Sequence, residues 1–317
     1  MSKKDSNESF LIKGSDGTDV FVYCWEEVSE PKGVVQIFHG MAEHAKRYEN
    51  FAKHLNRQGY IVFADDHRGH GKTAESIEEL GYIGEDGFNQ IVEDEHAIME
   101  EIRSKHPQLP IVIFGHSFGS FLAQEFIIRY GKDVAGVVLC GSAARTGIEV
   151  SLGKKVASIE KYLFGERNQS RLLDYLSFSR YNKRIKDSQS KFAWLSRNRD
   201  EVRKYEDDPY CGTLFTSGFF YYFFEGLSQL YVKERLAKIP KDLPIFIIAG
   251  DRDPVGNYGR LVKKLSKFYK VAKLQDVQCK LYQDGRHELL NETNKEEVYE
   301  DVVSWVNERV SVVSNGH

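Results

Sequence analysis

Excess charge of either sign is missing from this 317-residue chain: 44 Lys and Arg stand against 47 Asp and Glu, a net of -3. Nothing global therefore argues for a nucleic-acid partner, and an electrostatic partner has to be sought in a local patch. Cysteine is scarce too. Cys24, Cys140, Cys211 and Cys279 lie too far apart for a zinc-ligand spacing or a disulfide framework and are expected to be buried thiols. No apolar run approaches the length of a membrane span, and the polar start "MSKKDSNESF" leads into no apolar segment of signal-peptide length, so the expectation is a soluble cytoplasmic protein. Internal repeats, low-complexity tracts and Pro/Gly linkers are also lacking, which leaves one large domain carrying an insertion, or two domains.

What is present is an alternation of short apolar runs with longer amphipathic segments. The runs are "GVVQIFHG" (33–40), "YIVFADD" (60–66), "IVIFGHS" (111–117), "VAGVVLCGSA" (134–143), "PIFIIAG" (244–250) and "CKLYQDG" (279–285). Continuous apolar strands between helices indicate a mostly parallel sheet buried on both faces. Helical periodicity covers roughly 47–58, 86–105, 118–130, 256–270 and 293–310, and "LIKGSDGTDVFVYCW" reads as a hairpin, so the α/β sheet has an antiparallel start. The rhythm stops after Ala143 and resumes near Pro244. The interval holds helical patterns, "YFFEGLSQLYVKERL" the strongest, so residues 1–143 and 236–317 form the expected core and 144–235 an inserted helical cap.

The segment "IVIFGHSFGSFLAQEF" (111–126) puts a hydroxyl between two glycines where a strand gives way to a helix. The five-residue pattern alone is weak; between a strand and an amphipathic helix it is the turn that lifts a serine nucleophile above a sheet. Ser117 is that serine, and the Phe118 N–H at the helix start is placed to meet a developing oxyanion. A serine needs a base, and the base needs a carboxylate. "GDRDP" and "DGRHELLNE" supply them after later strands: His287 as base, and Asp253 as acid rather than Asp251, which directly follows Gly250 and is placed to cap the turn. "HGMAEH" after the first parallel strand offers the Met41 N–H as a second oxyanion donor. "RGHGKT" imitates the end of a phosphate-binding loop, but Asp66 stands where that loop's first glycine belongs, so it is expected to be a structural turn.

These motifs resemble the monoacylglycerol lipase and lysophospholipase branch of the α/β-hydrolases, within the serine aminopeptidase S33 type. The resemblance covers nearly the whole chain after residue 10. It is carried by "HGMAEHAKRYENFAKHL", "ADDHRGHGKT", "GHSFGS", "GDRDP" and "DGRHELLNE", and in the cap by "LSRNRDEVRKYEDDPYCG". It implies a Ser117, His287 and Asp253 triad and an oxyanion hole from Met41 and Phe118. It also implies a polar product-side pocket using Glu43, Arg47, His116 and Tyr205. Two positions depart from the animal-type enzymes: Leu290 stands in place of a further histidine and Gly256 in place of a cysteine.

The resulting expectation is a serine hydrolase of single-chain acyl esters, monoacylglycerol or lysophospholipid, needing no metal or organic cofactor. The same fold and triad would serve a short-chain carboxylesterase, an aminopeptidase, or a non-catalytic ligand receptor. In the cap, "FTSGFFYYFF" (215–224) is expected to pack on the core and to line an acyl tunnel. Residues 152–204 carry 14 Lys and Arg against 6 Asp and Glu. That excess marks either a solvated face or attraction to an anionic lipid surface or phosphate-bearing headgroup, with transient membrane association through the cap.

Overall fold

The computed structural model describes residues 9–186 and 188–314; the polar start up to residue 8 lies outside them. Eight strands form one sheet in the order β1-β2-β4-β3-β5-β6-β7-β8. Strand β1 (Ser9–Lys13) and β2 (Asp19–Trp25) form the hairpin, and β2 pairs antiparallel with β4 (Tyr60–Asp65). From there β3 (Gly33–Phe38), β5 (Ile111–His116), β6 (Gly136–Cys140), β7 (Ile245–Gly250) and β8 (Val277–Tyr282) run parallel. Every residue of β3 to β7 is buried. Helices cover both faces, which is why these runs are apolar throughout instead of alternating.

One face is covered by α2 (Gly87–Lys105), α3 (Phe118–Tyr130) and α9 (Arg260–Val271), the other by α1 (Glu49–Arg57) and α10 (Lys295–Ser314). Helix α3 is buried along almost its whole length. Helix α9 starts four residues later than the periodicity suggested, because Asn257, Tyr258 and Gly259 all take positive φ and cannot continue into a helix.

Between β6 and β7 lie α4 (Ile148–Phe164), α5 (Arg171–Phe178), α6 (Arg199–Asp207), α7 (Ser217–Gln229) and α8 (Lys233–Leu236). The strongest helical pattern of this interval splits into α7 and α8, with the break at 230–232. Side-chain oxygens begin three of these helices: Ser170 accepts from Leu173 N, Asn198 from Asp200 N and Thr216 from Phe219 N. The cysteines depart from expectation. Cys24 and Cys140 are buried, but Cys211 is half-buried and Cys279 is exposed, because β8 is an edge strand with one side open to water.

Candidate active site

Strand β5 ends at His116 and α3 begins at Phe118, leaving one residue for the turn. That residue, Ser117, is held at φ 49° and ψ -115°, a conformation L-residues rarely adopt. The flanking glycines are required by space. A Cβ on Gly119 would lie 2.1 Å from the Phe38 carbonyl oxygen, and one on Gly115 would lie 2.6 Å from the Gly119 oxygen. The sharp turn leaves Ser117 half-exposed above a buried strand.

Parallel neighbours end on the same edge, so the loops after β7 and β8 meet Ser117. His287 Nε2 lies 2.8 Å from Ser117 Oγ, and His287 Nδ1 lies 2.9 Å from Asp253 Oδ2. The other Asp253 oxygen accepts from Val255 N–H at 2.8 Å, so the carboxylate is held at both ends. Asp251 faces elsewhere and accepts from Asp284 N–H. Burial of His287 disfavours its charged form, but the charge and hydrogen bond of Asp253 outweigh it, and the imidazole's pKa lies above the ordinary histidine value. Buried His116 lies beside it, its ring 4.8 Å from that of His287, and is pushed down to about 4 by burial and by the neighbouring His287.

The Phe118 N–H belongs to the first turn of α3, where amides lack intrahelical acceptors. Met41 follows Gly40 in the loop after β3. Among the described residues neither amide has a protein acceptor. Glu43 organises this loop: its Oε1 accepts from Gly40 N–H at 2.7 Å and from the Tyr48 hydroxyl at 2.8 Å. The Ala42 carbonyl is fixed from outside the core, accepting from the Tyr205 hydroxyl at 2.8 Å and from Gly212 N–H at 2.9 Å.

Arg47 pairs with Glu43 and donates two bonds of 2.7 Å to the two oxygens of Glu288, next to the histidine, while its guanidinium lies 4.9 Å from the centre of the Tyr205 ring. Glu43, Arg47 and Tyr205 thus form one network joining the Met41 loop, the histidine loop and α6. His116 differs: among the described residues its ring nitrogens have no protein hydrogen-bond partner. "RGHGKT" is a turn built on Asp66, whose oxygens accept from Ala45 and Lys72 N–H groups.

Three residues next to the site were not singled out in the sequence. The Trp194 ring lies 5.0 Å from His287, and its carbonyl accepts from His287 N–H. Tyr181 packs edge-on against Trp194. Glu288, the partner of Arg47, directly follows His287, and that adjacency was the clue available there. On the other side Phe118 meets Phe219 and Phe223 of α7 at 5.3 and 5.4 Å. The aromatic segment therefore reaches the site as well as the core.

Residues 29–294 match the family model described as serine aminopeptidase, S33. The chain is similar to a monoacylglycerol lipase of Mycolicibacterium smegmatis, at 28% identity covering 96% of this chain and 98% of that one. It is also similar to the monoglyceride lipase of Homo sapiens, at 26% identity covering 95% and 90%. Among solved structures, a thermostable carboxyl esterase from Bacillus coagulans in complex with glycerol superposes with a TM-score of 0.87 at 31% identity, covering 97% of this chain and 100% of that one. A sheet of this order, matched over nearly its whole length, is the α/β-hydrolase fold, and the chain belongs to the serine aminopeptidase S33 family.

Proposed function

We propose that this protein is a serine hydrolase that cleaves carboxylic esters of single-chain acyl lipids, of the monoacylglycerol or lysophospholipid class. The observation that carries the reading is the relay from Asp253 through His287 to Ser117, with both bonds under 3 Å. His287 takes the hydroxyl proton as Ser117 attacks the ester carbonyl, then gives it to the leaving alcohol. Asp253 fixes the tautomer and stabilises the imidazolium. The carbonyl oxygen, negative in the tetrahedral intermediate, accepts from the Met41 and Phe118 N–H groups. Water then attacks the acyl-enzyme with the same histidine as base.

The lipid assignment draws on the lipase relatives and on the aromatic surface of α7 beside Phe118. Residues 144–235 act as a cap over a core of 1–143 and 236–317, with the acyl chain running between α7 and the core. His116 contacts substrate, while Glu43, Arg47 and Tyr205 form the polar wall behind the Met41 loop. The cap also meets a lipid surface transiently. Leu152, Ile159, Tyr162, Leu163 and Phe164 of α4 and Tyr175 of α5 are all exposed, Tyr162 at 88%. Full burial of a Leu, Ile or Phe side chain is worth about 1.5–3 kcal/mol, and exposed apolar side chains on a basic segment suit an anionic bilayer. No helix among the described residues is long and apolar enough to cross a membrane.

Steady-state kinetics on glycerol esters of increasing acyl length test the substrate class. The expected result is kcat/KM rising from acetyl to long acyl chains by about 10-fold or more, since each buried methylene contributes about 0.8 kcal/mol. Activity confined to acetyl esters or amino-terminal peptides would replace this reading with an esterase or peptidase.

A further inference from the structure

Three segments far apart in the chain meet beside the triad to form an open cleft of about 640 Å³. The loop after β6 contributes Arg145, the turn after α5 contributes Arg180, Lys183 and Arg184, and the first turns of α9 contribute Arg260 and Lys264. One carboxylate joins these six cations: Glu149, 83% exposed and 3.8 Å from Arg145. Among the described residues no carboxylate lies within 4.0 Å of Arg180, Lys183, Arg184, Arg260 or Lys264.

Several of these cations are held by neutral groups. Arg145 Nη2 donates to the Val255 carbonyl at 2.9 Å, Lys264 Nζ donates to Thr146 Oγ1 at 2.5 Å, and the Arg184 guanidinium lies 4.0 Å from the centre of the Tyr258 ring. Such contacts fix position without neutralising charge. Cations gathered round one cleft repel each other and focus a positive potential into it. Guanidinium forks and ammonium groups converging from three sides suit an anion with several oxygens.

We propose that this cleft is a binding site for a phosphate-class anion. Its wall adjoins the reacting groups: Pro254 lines it directly after Asp253, and Tyr181 lines it while packing on Trp194, which packs on His287. The phosphate is either the headgroup of a bound acyl ester or a free anion acting beside the triad. The headgroup source rests on the ester-hydrolase reading; the anion site does not.

Titration calorimetry of the full-length chain with inorganic phosphate, at low ionic strength, reads the site without turnover. Arg180→Gln/Lys183→Gln/Arg260→Gln removes three exposed cations of the cleft, and Lys155→Gln/Arg171→Gln/Arg203→Gln removes three exposed cap cations that do not line it. Binding is expected to weaken at least about 10-fold in the first variant and less than about 2-fold in the second, as loss of charge-assisted bonds requires. A second arm separates the sources, using hexanoyl glycerol and hexanoyl glycerol phosphate below their aggregation concentrations so that no lipid surface takes part. A headgroup site lowers kcat/KM of the cleft variant on the phosphate ester alone; a free-anion site leaves both esters unchanged while phosphate binding is lost. Absence of phosphate binding to the wild type, or equal loss in both variants, overturns the site. If neither ester is cleaved, the hydrolase reading fails, and the titration still decides the anion site.

Discussion

Glu288 is buried beside His287 yet carries its charge. Burial alone would raise its pKa, but the two bonds and full charge of Arg47 hold it down at about 2. A group whose pKa falls on folding from the ordinary 4.5 stabilises the fold above that value and loses the contribution as pH drops from 4.5 toward 2. Removing the cation strands two buried carboxylates, Glu43 and Glu288. Urea unfolding of Arg47→Met at neutral pH is therefore expected to show a loss of about 3–5 kcal/mol, with the acid-limb dependence flattened. An unchanged midpoint would mean that the network contributes nothing. The candidates Ser117, Asp253 and His287 could be picked out in the sequence because each follows a recognisable strand. His39, His67 and His70 also lie near strand ends, but the His39 and His67 rings stack at 3.9 Å, and the His70 ring stacks on Phe118. In the sequence His287 stands apart from them by following the acid strand; in space these three histidines pack as buried support.

Helix α6 and the segment before it reach into the core at two places. Tyr205 holds the Ala42 carbonyl, while Arg286 donates to the Ala193 and Ser196 carbonyls and Arg197 pairs with Glu292, which tie this segment to the histidine loop. The Met41 amide thus depends on a helix some 160 residues away in sequence, which no local pattern could reveal. Tyr205→Phe keeps the ring and loses the donor. Its expected effect is a fall in kcat of up to about 100-fold with KM little changed, because a displaced oxyanion donor matters mainly in the transition state. Equal changes in kcat and KM would point to general loosening instead. The core strands and helices were placed to within about four residues at their ends, since burial on both faces writes the central strands as continuous apolar runs. Short elements such as α8 were not, because one helical turn is too brief for a period.

Over the whole molecule the charge is near balance while the insertion is basic. Exposed apolar residues concentrate on the same insertion, on α4 and α5. The two features together predict that the protein sediments with anionic vesicles, and that Leu163→Asp/Phe164→Asp, on an exposed helix face, abolishes this while leaving hydrolysis of a soluble short-chain ester intact. Sedimentation unaffected by the double substitution would remove α4 from the membrane contact. The fold and the elbow could be read from the sequence alone, whereas the basic cleft required three loops to be brought together in space.

The nucleophile is the centre of the account, and the rate of covalent labelling by a fluorophosphonate, followed by intact mass across pH, tests it most directly. One adduct is expected on the wild type and none on Ser117→Ala. The labelling rate should rise with pH through an apparent pKa above the ordinary histidine value of 6.5, because His287 must be neutral to accept the serine proton and Asp253 favours its charged form. No adduct on the folded wild type, or an adduct that survives in Ser117→Ala, would contradict the assignment of Ser117 as the nucleophile.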